Sequence, residues 1–404
     1  MSMNTMSIDQ VSTILNSIVA QAKGGTLASL ATKDFVTVAK IGLETGYDAL
    51  STAISQVLSK TIFSVRPYTR KLKVMETDSI RYGNHVRKLQ TLDSDWENDQ
   101  RITLTDGSSI DQYVVKKPKV VQTNVFGSRT FQRKLTIYKD QLDVAFTSPE
   151  EFNRFIGMIM QNATDQIEQA HEESARATLL NLIGGIKNMN ITSQIVHLVT
   201  EYKAWAGITT TPWNYADPAN FPNFARWVFG RIKTASQMME QRTTMFHQNP
   251  TTASSPVPQG SISRHSPVTD QRLVIYTPLF NTIDATVLST TFNDEYLSLL
   301  QYEGVGYWQT PANPTAITVN ASYMTTAGAI SNSAVTLGQT SGGTTYPDVL
   351  GVLFDREAAG YNTINEWAMP TPFNSAGGYT NMYWHFTNRN FIDFSENAIL
   401  FLLD

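Results

Sequence analysis

Three groups of residues have types and spacings that could do chemistry. Glu168 and His171 form an E-x-x-H pattern within a helical segment, the carboxylate–imidazole spacing of helix-borne metal sites. A di-metal site needs a second such motif with further Glu residues. No second copy occurs, so a solvated or interface helix face outweighs the metal reading. Asp93, Asp95, Glu97 and Asp99 alternate around Trp96 and offer oxygen ligands to a hard cation. The run lacks the glycine and terminal glutamate of an EF-hand loop, so an exposed acidic turn is the simpler expectation. Trp205, Trp213, Trp227 and Trp308 could serve a carbohydrate-binding protein or enzyme of mixed α/β type. Core packing explains them with fewer assumptions.

Other signatures are missing. The chain has no cysteine, which excludes disulfides, thiolate catalysis and cysteine-ligated zinc together. The six histidines are scattered, and neither H-E-x-x-H nor H-x-H occurs. G-x-S-x-G and the phosphate-binding G-x-x-x-x-G-K-[ST] are absent, and Gly304-Val305-Gly306 reads as a turn. The expectation is a non-enzyme with no cofactor, no metal and no catalytic residue.

The composition fits a structural role. The 404 residues are 41% hydrophobic and only 16% charged, against an ordinary share of about 25%. A surface carried by Ser, Thr, Asn and Gln loses little when buried against neighbours, because interface cores are poor in charge. No run of about 18 apolar residues suggests a membrane span, and no basic n-region marks a secretory signal. The net charge is -4, but it is unevenly spread. Residues 64–140 hold 15 Lys and Arg against 9 Asp and Glu, while the remainder holds 16 against 26. Such a basic segment can meet nucleic acid or the acidic surfaces of identical neighbours. Its aromatics follow no stacking pattern, so sequence readout of a nucleic acid is disfavoured.

These residues must be positioned by a small set of elements. Ser148, Pro149 and Glu151 spell a helix start with a capping box. Phe152, Phe155, Ile156, Ile159 and Met160 then mark one apolar face, continued through Ala163, Ile167 and Ala170 to Ile183. Gly184-Gly185 predicts the stop. The rod would be roughly 50 Å long, about three times an average globular helix. Residues 1–62 predict two short amphipathic helices. Arg70–Val74 and Gln112–Val115 predict strands, and Asp106-Gly107 predicts a hairpin turn between 101–105 and 110–113. Further on, 226–245 and 279–288 predict helices, and 272–276, 349–354 and 397–403 predict strands. Thr251–Pro267 predicts an exposed loop, and Pro311–Pro347 an insertion or a β-rich surface lobe.

This order of elements resembles the major capsid protein of tailed bacteriophages, with its Hong Kong 97-type shell fold. The residues that carry the resemblance are Leu135–Phe146 leading into Ser148–Phe152, then Arg272–Pro278 with Phe292-Asn293. Val352–Ala358, Tyr383–Phe386 and Glu396–Phe401 complete it. The implied fold class is α+β, with an N-terminal helical arm (1–63), an extended β-hairpin loop (64–135) and a peripheral domain holding the long spine helix (136–189). An axial domain (190–380, with 309–348 a possible insertion) and a returning C-terminal strand (381–404) follow.

The resemblance implies a subunit that self-assembles into the icosahedral head shell around packaged double-stranded DNA, without sequence readout. It implies a virion protein assembled in the host cytoplasm and not bound to a membrane. Identical subunits in hexamers and pentamers would be its partners, with a separate scaffolding protein and a portal. Arg70, Lys71, Lys73, Arg81, Arg87, Lys88, Arg101, Asp106, Gly107, Lys116, Lys117 and Lys119 of the loop would lie at the subunit interface. A shell protein of a cellular encapsulating nanocompartment, which shares the fold, is the nearest alternative.

Overall fold

The computed structural model describes residues 68–77, 85–93, 98–141, 149–209, 213–249, 262–288, 302–341 and 344–404. The expected N-terminal helices, the Ser148 cap and most of the 251–267 loop lie outside these residues. The first described segment is not the expected strand. Lys73–Met75 form a single 3-10 turn, entered through Leu72 at φ 61°. Leu72 and Met75 are fully buried, and a 3-10 turn puts residues three apart on one side. Burial of that pair overrides the local alternation. The chain then forms β1 (His85–Thr91), β2 (Val120–Phe126), β3 (Arg129–Tyr138) and α1 (Pro149–Met189).

Helix α1 has 41 residues and does not stop at Gly184-Gly185. These glycines allow close approach instead. A Cβ on Gly184 would lie 2.6 Å from Ala321 Cβ, and one on Gly185 would lie 2.4 Å from Phe394 Cζ. The helix ends at Asn190, whose φ of 51° is the left-handed conformation of a helix terminus. Burial grows along the rod. Around Gln161–Ala170 one face is covered, whereas Leu182 to Ile186 are all buried.

The rest of the chain builds β4 (Ile195–His197), α2 (Leu198–Ala206), α3 (Phe221–Glu240), β5 (Gln271–Tyr276), α4 (Thr277–Leu288) and β6 (Tyr302–Val305). There follow β7 (Ile317–Met324), β8 (Ile330–Leu337), the short β9 (Thr340–Ser341) and β10 (Thr344–Thr345), and β11 (Asp348–Asp355). The chain closes through β12 (Ala359–Pro370), β13 (Tyr379–Ile392) and β14 (Ala398–Leu403).

A mixed five-stranded sheet in the order β4-β14-β11-β5-β6 lies at the centre. Alternate side chains of a strand point to opposite faces. Val352, Phe354, Leu400 and Leu402 therefore join a core with the C-terminal half of α1. Leu353, Leu350, Ile399 and Phe401 join a second core with α2, α3 and α4. Both faces are covered, which is why these strands are continuous apolar runs in sequence. The 311–347 stretch is β-rich, as one of its two expected forms had it. Its β7–β8 hairpin is part of the first core, through Ile317, Val335 and Leu337.

A separate three-stranded sheet, β12-β13-β3, packs against the middle of α1, between Asn162 and Ser174. His171, Glu366 and Phe386 meet there, and Arg133 of β3 donates to Asn162 of α1 at 2.8 Å.

Candidate assembly interface

The 85–126 segment is a ladder with a long excursion at its end. β1 and β2 pair antiparallel from His85↔Phe126 to Thr91↔Val120, and the Leu92 amide extends the ladder to Lys119 O at 2.9 Å. Beyond it, Asp106-Gly107 does form a turn, with Gly107 at φ 84° and Ser108 N donating to Thr105 O at 3.0 Å. The strands expected beside that turn are absent. Residues 101–103 belong to a short 3-10 turn (Gln100–Thr103), and 104–119 have no regular structure apart from turns. A two-residue hairpin signal needs cross-strand packing to be realised, and this tip has no second layer of its own.

Every described residue from 98 to 120 is exposed. The exposed set includes large apolar side chains: Ile102 at 86%, Tyr113 at 80% and Val115 at 78%. Leu104, Ile110 and Val114 accompany them. An apolar row this exposed on an otherwise soluble subunit marks a contact surface. Lys116, Lys117 and Lys119 follow directly, so the surface is apolar and basic together.

The expected interface cations divide into three groups. Lys71, Lys73, Arg87, Arg101, Lys116, Lys117 and Lys119 are exposed, as are Asp106 and Gly107. Arg101 is also held by Asp99 at 2.5 Å. Arg81 lies outside the described residues. Arg70 and Lys88 depart from the expectation, because both are engaged inside their own subunit. Arg70 is buried between Glu76 and Glu168, 3.2 Å from the latter. Lys88 Nζ lies 2.9 Å from Glu357, 3.2 Å from Asp393 and in contact with Glu396.

Most of the residues considered for other chemistry are accounted for by structure. Glu168 and His171 are buried, not on a solvated helix face. Glu168 holds Arg70, and His171 Nε2 is 3.2 Å from Glu366. Beside them Glu172 accepts from Tyr68 Oη at 2.8 Å, from the Lys71 amide at 3.0 Å and from Arg176 at 2.7 Å. Burial opposes ionisation of Glu172, but Arg176, the Lys71 amide and Tyr68 outweigh it and hold the carboxyl below its usual range. Burial and the bond to Glu172 push the Tyr68 phenol up to about 12. This network clamps residues 68–76 onto the spine helix. Asp93 of the acidic run accepts from Arg242 at 2.5 Å and from the Ser263 amide at 2.7 Å, and 94–97 lie outside the described residues. Among the described residues no group of three metal-ligating side chains forms. Trp308 is buried, with Nε1 donating to Val349 O at 3.0 Å, and Trp213 and Trp227 pack on the second core around Tyr202. Trp205 also touches Tyr202 but is 71% exposed, so core packing does not account for it.

Sequence reasoning ranked the loop by its charge and missed its apolar content. The run Tyr113-Val114-Val115 was the available signal, and it was read as a strand. The carboxylates that capture Lys88 had no local signal, since they lie roughly 300 residues away in sequence.

A family model described as Phi29-like phage major capsid protein matches residues 11–402. The chain belongs to this family. It is a shell subunit of a phage head, and the structural role of the family makes it a virion protein that assembles with identical subunits. The Hong Kong 97-type capsid fold holds with it. The capsid of Staphylococcus phage Andhra has a chain with 10% identity and a TM-score of 0.51, covering 83% of this chain and 85% of that one. A chain from a structure of the head fiber and inner core protein gp22 of native bacteriophage P68 has 12% identity and a TM-score of 0.51, covering 84% and 86%. At these identities the likeness concerns the fold alone. No curated protein matches the sequence. Membership in this capsid family selects the phage head over the cellular nanocompartment, and no helix among the described residues is long and apolar enough to cross a membrane.

Proposed function

We propose that the 98–120 loop is the arm by which this capsid protein binds a neighbouring copy in hexamers and pentamers of an icosahedral head. The observation that carries the reading is the unbroken exposure of 98–120, with Tyr113, Val114 and Val115 among its most exposed apolar side chains. Burying three such side chains against a neighbour stabilises a contact by several kcal/mol at about 25 cal/mol per Å2. The basic C-terminal end of the loop, Lys116 to Lys119, then lies on the more acidic remainder of the next subunit.

In this reading 1–63 is a second arm, 64–135 the extended loop, 136–189 the peripheral domain built on α1 and 190–380 the axial domain. Within the axial domain 309–348 is the insertion. The last residues, 381–404, return to the shell body. Arg87, Arg101, Lys116, Lys117 and Lys119 are the loop cations left facing outward. The shell encloses double-stranded DNA without reading its sequence, and a motor fills it through a portal. A separate scaffolding protein guides assembly in the host cytoplasm. The subunit carries no catalytic activity, a reading supported by the burial of Glu168 and His171 and by their engagement with Arg70 and Glu366.

The test replaces Tyr113, Val114 and Val115 together by Ser. The purified full-length variant and the unaltered protein are imaged by electron microscopy, each with and without scaffolding protein. The variant is expected to stay folded and to leave monomers or incomplete rings. Shells formed at the unaltered yield would overturn the reading.

A further inference from the structure

Among the described side chains, the root of the extended loop meets the body mainly through charged and polar groups. Neither of the two cores described above contains a residue of β1 or β2. Among the side chains of 85–126 whose burial is described, which excludes Val86 and Phe126, Leu92 is the one buried apolar group. A cavity of about 910 Å3 opens between the ladder and the body. Arg87, Lys88, Thr123 and Val125 line one wall, and Arg264, Asp393 and Glu396 are among the residues of the other. The groove is open to solvent, so its two walls are not close-packed against each other.

Three polar ties cross or flank the cavity. Lys88 is gripped by Glu357, Asp393 and Glu396, and Glu396 is shared with Arg264 at 3.1 Å. Arg242 holds Asp93, just past β1, and the Ser263 amide holds its other oxygen. Arg389 Nε donates to Gly127 O at 3.1 Å, just past β2. The ties have separate origins along the body, but Lys88 concentrates the charge. It sets one ammonium against three carboxylates, two of them nearly buried. Burial works against the Lys88 ammonium, yet Asp393 and Glu396 outweigh it and hold its pKa above the ordinary value. Lys88 therefore stays charged, as an ionic tie requires.

We propose that Lys88 with Glu357, Asp393 and Glu396 is a releasable ionic latch that sets the angle of the extended loop, and that opening it lets the β1–β2 ladder pivot on its root over the cavity. The ladder itself stays intact in both positions, because its seven paired positions are internal to it. When Lys88 leaves, Glu396 keeps Arg264 and Asp393 keeps the Ser395 amide and hydroxyl, so the two nearly buried carboxylates are not stranded, while Glu357 and the Lys88 ammonium are hydrated. A packed apolar joint would have no such intermediate position. The measurement below uses unassembled subunits, so its outcome does not depend on whether the loop meets a neighbour.

The chain has no cysteine, so spin labels can be placed by Ser108→Cys at the loop tip and Ser375→Cys on the body, both exposed positions. Pulsed electron resonance on dilute full-length protein gives the distance distribution between them. The doubly labelled protein should give one narrow distribution in about 0.05 M salt, where exposed charges are weakly screened. Lys88→Met should broaden or split it about twofold, as expected when a minor orientation gains population. The double change Lys88→Met with Asp393→Asn removes the nearly buried carboxylate that loses its cation, while Glu396 keeps Arg264, and serves where the single variant loses its circular dichroism. Glu357→Gln alters the most exposed carboxylate of the set and should broaden the distribution less than Lys88→Met. Lys117→Met at the tip should leave it unchanged. Folded Lys88 variants and Glu357→Gln all showing the unaltered width would overturn the latch.

Discussion

At the residue scale, buried polar groups connect segments that the chain separates widely. His247 is one of them. Its Nδ1 is 3.0 Å from Asn397 Oδ1 and its Nε2 is 2.6 Å from Ile262 O. Burial pushes its pKa down, more than those two contacts raise it. A depressed histidine contributes stability that is complete above its unfolded value near 6.5 and is lost as pH falls toward and below the folded value. The thermal midpoint should therefore fall as pH is lowered from about 6.5. His247→Gln should flatten that part of the curve, and an unaltered slope would assign the effect elsewhere. Glu172 acts in the opposite range. Its carboxyl is depressed, so its contribution is present above about pH 4.3 and lost on further acidification. Neither residue had a legible role in sequence. Glu168-x-x-His171 was visible as a pattern, but its meaning depends on Arg70 and Glu366, which only the fold brings near.

At the scale of elements, the glycines of the helices make opposite predictions. Gly185 faces Phe394 and the Ser322 carbonyl with no room for a methyl group. Gly185→Ala should cost about 1–3 kcal/mol through overpacking. Gly230 lies within α3 with nothing near its missing Cβ. Gly230→Ala should stabilise by about 0.5–1 kcal/mol, because Gly is the poorer helix residue. Denaturant unfolding of both variants measures the pair, and the same sign for both would contradict the geometry. The elements themselves were unevenly legible. Strands β5, β11 and β14 were evident as apolar runs because both of their faces are covered. α1 was evident from its period, but its end was misplaced, because a glycine pair reads as a stop when the hairpin it accommodates is 130 residues away. The strand expected at Arg70–Val74 failed for a related reason. The local sequence suggests an extended strand, while the burial of Leu72 and Met75 sets the conformation.

At the scale of the whole molecule, the charge partition and the exposed loop describe a subunit finished only by its neighbours. The order of elements made the fold legible as a whole when few single motifs did, because the succession of arm, ladder, rod and returning strand is more restrictive than any member of it. If the basic 64–140 segment meets acidic neighbours, the early rate of assembly should fall as salt rises from about 0.05 to 0.5 M, since screening weakens steering between exposed charges. Light scattering at matched protein concentration measures this. A rate independent of salt would leave the apolar tip as the sole attractor.

Strand β14 lies between β4 and β11 although every other strand of that sheet precedes it in the chain. A ribosome therefore makes one of the sheet's inner strands last. Until Ala398–Leu403 emerge, β11 lacks its partner on one side and β4 lacks the strand it pairs with. The central sheet thus completes only after all its other strands have been made, and its sequence-distant contacts form late. Translation order delays the appearance of a finished subunit, and with it the first moment at which copies on one messenger can begin to associate.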